Sequence, residues 1–158
     1  MWRGRTTILH GRTLGCLLAI ALCLPSRPAA ASAAPAAGAE ALASRLQRIE
    51  AAFRGGDAGA LRASFTTRGK LRLDVPQVPG CPASYGAGQL QVIFGQLFAA
   101  ARTRSFAFEQ EDAPSSDDTA FARALWRRDD PHDGGQALTF TLREEDGDWR
   151  IHEIVAPR

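Results

Sequence analysis

The chain has 158 residues, with 19 Lys and Arg against 17 Asp and Glu. A length of that order suits one domain around one core. The basic excess comes entirely from Arg3, Arg5, Arg12 and Arg27 in an acid-free leader. Taking those four from 19 leaves 15 basic residues against 17 acidic, about −2, and excludes a charge-based case for nucleic-acid or anionic-membrane binding.

The first 33 residues read as a signal peptide: a basic start, the apolar run LGCLLAIALCL (Leu14 to Leu24), then small-residue cleavage options such as Ala31-Ser32-Ala33. The run is shorter than the ~20 apolar residues of a transmembrane helix. The expectation is therefore export to the periplasm or beyond, with no membrane span in the mature form. Residues 34–38 are expected as a flexible lead-in and 39–158 as the folded domain. Cleavage removes Cys16 and Cys23 and leaves only Cys81, in VPGCPASYG. One thiol closes no intrachain bridge, so the core alone must hold the fold.

From Glu40, Leu42, Leu46, Ile49 and Phe53 follow at spacings of four, three and four, a single apolar helical stripe. Gly55-Gly56 ends it. Asp57 has the character of an N-cap for a short helix carrying Leu61 and Phe65. KLRLDV (Lys70 to Val75) alternates, with Leu71, Leu73 and Val75 on one face, as a half-buried strand does. Pro76, Pro79 and Pro82 make a loop. Ser84 is the expected cap of a helix over 86–101, whose Leu90, Ile93, Phe94, Leu97 and Phe98 form a broad apolar side.

Beyond Arg104 the period becomes two. SFAFEQE places Phe106 and Phe108 together, and TAFARALWRR sets Phe121 and Leu125 opposite Trp126. QALTFTLRE points Leu138, Phe140 and Leu142 one way, and WRIHEIV ends the pattern. The Asp-Gly of EDGD signals a tight hairpin. Helices followed by a four-strand antiparallel meander give an α+β domain with helices on one face of the sheet. The helix over 86–101 is expected to lie across the inner face.

These residues carry a resemblance. Gly56, Asp57, Leu61 and Phe65, then Tyr85, Gln89, Ile93, Leu97 and Phe98, then the closing GDWRIHEI, resemble the nuclear transport factor 2-like (cystatin-like cone) superfamily. Within it, the chain is most similar to the exported bacterial domain of unknown function 4783. The resemblance implies a cone-shaped, curved, mostly antiparallel sheet wrapped around helices, a pocket at the open end, and dimerisation through the sheet. It covers almost the whole mature chain and rests on structural residues, so it transfers no catalytic residue.

The pocket candidates are Phe94, Phe98, Phe140, Trp149 and Ile151, with Tyr85 and Glu153 as the polar members. If Trp149 and Ile151 point inward, strict alternation turns Glu153 and Val155 inward too. The reading that follows is a non-enzymatic exported module binding a small apolar ligand or a protein partner, with no cofactor. The alternative is a ketosteroid-isomerase-like enzyme, which needs a carboxylate base in an apolar pocket with an acidic hydrogen-bond donor. Glu153 or Asp74 would serve as base and Tyr85 as donor. DDPHDGG, with Asp129, Asp130, His132 and Asp133, has the composition of a turn rather than metal-ligand spacing. No metal site is expected.

Overall fold

The computed structural model describes residues 34–109, 118–130 and 134–157, and the side chains from Gly38 onward. His132 and Asp133, the signal-peptide reading and the turn at PSSDD up to Asp117 lie outside the described residues. Three helices precede or interrupt six strands: α1 (Ala34–Gly55), α2 (Ala58–Arg62), β1 (Leu71–Asp74), β2 (Ala83–Tyr85), α3 (Ala87–Ala100), β3 (Thr103–Phe108), β4 (Thr119–Arg128), β5 (Gln136–Glu145) and β6 (Asp148–Val155). None of these helices is long and apolar enough to cross a membrane.

The six strands form one sheet in the order β2-β1-β6-β5-β4-β3. The meander β3 to β6 is antiparallel throughout. β1 joins it parallel to β6, and β2 caps that edge antiparallel to β1. Asp146 and Gly147, both at positive φ (54° and 81°), make the two-residue turn between β5 and β6, the geometry whose twist suits a hairpin.

The helices depart from the sequence reading in three ways. α1 begins at Ala34, so residues 34–38 are its first turn rather than a flexible lead-in; Trp149 Nε1 donates to the Gly38 carbonyl at 3.2 Å. Ser84 lies in β2, and Gly86 is the N-cap of α3, its N–H donating to Gln89 Oε1 at 3.0 Å. α1, and not α3, is the helix laid against the sheet, packing on β3 and β6 while α3 packs on α2. Asp57 does cap α2, accepting from Ala60 N at 2.8 Å.

The core follows from this placement. Phe53 of α1 stands at its centre, stacked on Phe106 (ring centroids 4.1 Å) and edge-on to Phe94, Phe98, Trp126 and Phe140 at 5.4–6.0 Å. Edge-to-face contacts of this kind suit the quadrupoles of the rings. Ala120, Ala122 and Ala124 are the inward residues of β4 beside Trp126. Small residues there leave room for the rings opposite, and Phe121 is turned outward, 44% exposed.

Two β-bulges interrupt the alternation. Thr103 faces Arg128 and Ser105 faces Arg127, which leaves Arg104 as the extra residue of β3. Thr141 faces Glu153 and Leu142 faces Ile151, which leaves His152 as the extra residue of β6. A bulge re-aims the side chains around it. Past His152 the inward set becomes Ile154 and Ala156, both buried, and Glu153 and Val155 turn to the outer face.

Candidate functional site

Five of the seven residues expected to line a pocket sit in the packed interior. Phe94, Phe140, Trp149 and Ile151 are at most 2% exposed and Phe98 is 7% exposed. Phe94 meets Phe53, Phe65 and Phe98 ring to ring, and Phe140 meets Phe53, Phe106 and Phe108. Their surfaces are occupied by one another.

The two polar candidates are separated by the sheet itself. Tyr85 pairs directly with Leu71 in β2–β1, and directly opposed residues share a face. Tyr85 therefore lies on the inner side, against the core at its edge. Burial, then the neighbouring Cys81, raises its phenol above the ordinary value, so the O–H keeps its proton at neutral pH. Glu153 is on the outer side. Its Oε1 stands 3.2 Å from Arg72 Nη1, and Oε2 accepts from Thr141 Oγ1 at 3.3 Å. Asp74 alternates with Leu73 and shares this outer face. An acid–base set of Tyr85 with either carboxylate is thus not assembled. The expectation that Glu153 turns inward fails because the extra residue at His152 reverses the parity of β6.

The charges that are buried are ones the sequence reading passed over. Arg45 and Glu145 are each 4% exposed. Arg45 Nη2 is ion-paired with Asp148, and its Nη1 reaches the Ala63 carbonyl at 3.4 Å. Glu145 Oε1 accepts from Thr66 Oγ1; Oε2 accepts from Thr67 N at 3.1 Å and Thr67 Oγ1 at 2.9 Å. His152 Nε2 lies 2.7 Å from Oε1. Burial works to raise the Glu145 carboxyl. The Thr66 and Thr67 donors outweigh it, with help from His152, and hold the carboxyl at about 2. These groups tie the loop after α2 to the β5–β6 hairpin. Arg45 was detectable in principle, since it sits at three from Leu42 on the buried stripe; Glu145 carries no such signal.

Two open grooves mark the outer surface. The first, about 460 Å³, has Phe65, Thr66, Thr67, Ala87, Arg62 and Arg150 in its walls. Both of its cations are committed to the chain itself: Arg62 Nη1 donates to Gln91 Oε1 at 3.1 Å, and Arg150 bonds the Ala63 carbonyl and sits 2.9 Å from Asp148 Oδ2. The second, about 560 Å³, lies where the ends of α1 and α3 meet the start of β3, with Arg54, Gly95, Phe98, Arg102, Arg104 and Asp129 among its walls. Phe98 is the only one of the seven expected pocket residues that lines either groove.

No protein-family model matches the chain, and no curated protein matches it. Solved structures do. A domain-of-unknown-function-4783 protein from Bacteroides uniformis is 13% identical with a TM-score of 0.57, over 71% of this chain and 94% of that one. A ketosteroid isomerase-like protein from Erwinia carotovora atroseptica is 21% identical with a TM-score of 0.56, over 75% and 93%. A domain of unknown function with a cystatin-like fold from Nostoc punctiforme is 12% identical with a TM-score of 0.57, over 75% of each. The architecture is therefore nuclear transport factor 2-like, an α+β domain whose curved, mostly antiparallel sheet wraps helices. The particular structures it is similar to include the group of unknown function that its sequence resembles and an isomerase-like protein. At these identities the likeness is one of fold.

Proposed function

We propose that this chain is an exported, non-enzymatic module that binds a protein partner around the outside of the cone. The single observation behind this is the aromatic cluster centred on Phe53, which occupies the space where a small apolar ligand would otherwise lie. Recognition then falls to the surface. The outer sheet face offers a mixed patch, with Phe121 opposite Thr141 and Leu125 opposite Ala137 on neighbouring strands. A second copy of the chain is one partner such a face accommodates, consistent with the dimerisation the resemblance implies. The export reading rests on the leader pattern of residues 1–33.

Native mass spectrometry of the protein recovered from the periplasm of a bacterial host tests this against the denatured mass. The expected result is a chain shortened by the leader, bare or carrying a second polypeptide. A small molecule that departs on denaturation would overturn the filled-interior reading. Recovery of only the uncleaved chain in the cytosol would overturn export.

A further inference from the structure

We propose that the second groove takes an acidic peptide segment of a protein partner, its carboxylates held by Arg102 and Arg104 and its intervening apolar side chains laid on Gly95, Phe98 and Ala99. This rests on the partner-binding reading above and adds to the outer sheet face a second surface for a partner. The first support is the state of the arginines. Arg54 is spoken for: Nε donates to the Phe106 carbonyl at 3.0 Å and the guanidinium pairs with Glu50. Arg102 and Arg104 are exposed, and their side chains make no hydrogen bond or ion pair among the described residues. A cation at a helix C-terminus is expected from the helix dipole, which accounts for Arg54 and for Arg102 just beyond α3. It does not account for Arg104, which the bulge in β3 brings to the groove with Arg102 and Thr103.

The shape of the groove gives the second support. Its wall on α3 is made by Gly95, Phe98 and Ala99. A volume of about 560 Å³ is within the ~300–1,000 Å³ of ligand sites, too large for one inorganic anion and open enough for a chain to enter. The arginine fork matches a carboxylate by two parallel hydrogen bonds. Since the domain without its leader is about −2 overall, the attraction is local to this groove rather than a property of the whole surface.

The test is fluorescence anisotropy with a labelled octapeptide of alternating glutamate and phenylalanine, titrated with the exported protein. Saturable binding is expected. Arg102→Gln with Arg104→Gln should weaken it about tenfold or more, the loss of a charge-assisted pair. Ala99→Glu, which sets a negative charge at an exposed position of the groove wall, should weaken it similarly. Arg143→Gln removes one exposed positive charge outside the groove and should leave binding within about twofold. An equal loss in Arg143→Gln, unchanged binding in Ala99→Glu, or no saturable binding would overturn the proposal. So would arginine-dependent binding of inorganic phosphate that the peptide fails to displace. None of these outcomes touches the native mass measurement, so the groove can fail while the partner-binding reading stands.

Discussion

Phe53 touches five other rings, more than any other residue of the core, although it is the last apolar position of an ordinary helical stripe. Its truncation should be among the most damaging single changes: Phe53→Ala is expected to cost about 3–5 kcal/mol, read as a fall in the urea midpoint with the slope unchanged. Glu145 governs a different property. Its carboxyl sits at about 2 in the fold against an ordinary 4.5, so folding favours the ionised form. That contribution is fully present above pH 4.5 and is lost as pH falls towards 2, and the shift corresponds to roughly 3 kcal/mol. Glu145→Gln should lower stability at pH 7 and flatten the stability profile between pH 5 and pH 2. A wild-type profile that is already flat over that window would show that the Thr66 and Thr67 bonds do not discriminate between the two protonation states. At this scale the apolar residues were legible, because burial follows pattern: Leu42, Leu46, Ile49 and Phe53 were read inward and are inward. Glu145 was not, because its burial depends on a loop 78 or 79 residues away in the chain folding over it.

Elements were legible where their signal is local. The Asp57 cap, the Asp-Gly hairpin and the four strands of the meander each follow from residues within one short window. Asp57→Ala removes the bond to Ala60 N and should cost about 1 kcal/mol, measurable as a lower thermal midpoint with no change in secondary structure. Bulges have no such window. One extra residue in β6 reverses which of Ile154 and Glu153 faces the core, and nothing in WRIHEIV announces it. The same logic makes the bulge testable. Deleting His152 removes the extra residue and leaves strict alternation, with Ile151, Ile154 and Ala156 inward and Glu153 and Val155 outward as they are now. The deletion is therefore expected to retain cooperative unfolding, read as a single sigmoidal urea transition. Loss of that transition would show that the bulge itself, and not only the facing of these side chains, is required.

At the scale of the whole molecule the sheet order is the consequential feature. β6 is the last of the described elements in sequence order, yet it is central in the sheet, parallel to β1 on one side and antiparallel to β5 on the other. Its residues also meet the segment before β1, where Thr66 N donates to the Ile151 carbonyl at 3.0 Å and Ile151 N to the Ser64 carbonyl at 2.8 Å. Among the described residues, β1 and β2 are bridged to the meander only through this strand. Alternation in KLRLDV marks β1 as a strand, but the pairing that places it beside β6 spans some 80 residues and leaves no trace in either sequence. The closure of such long loops precedes the contacts that reward it, which slows folding. The core therefore closes only once β6 is in place. Truncation after Gly147 should leave a chain without a cooperative thermal transition or dispersed amide resonances. Truncation after Ala156 should leave both intact. A truncated chain lacking β6 that still melts cooperatively would mean that α1 and β3–β5 form a core of their own, and the central position of the last strand would then be a matter of topology without energetic weight.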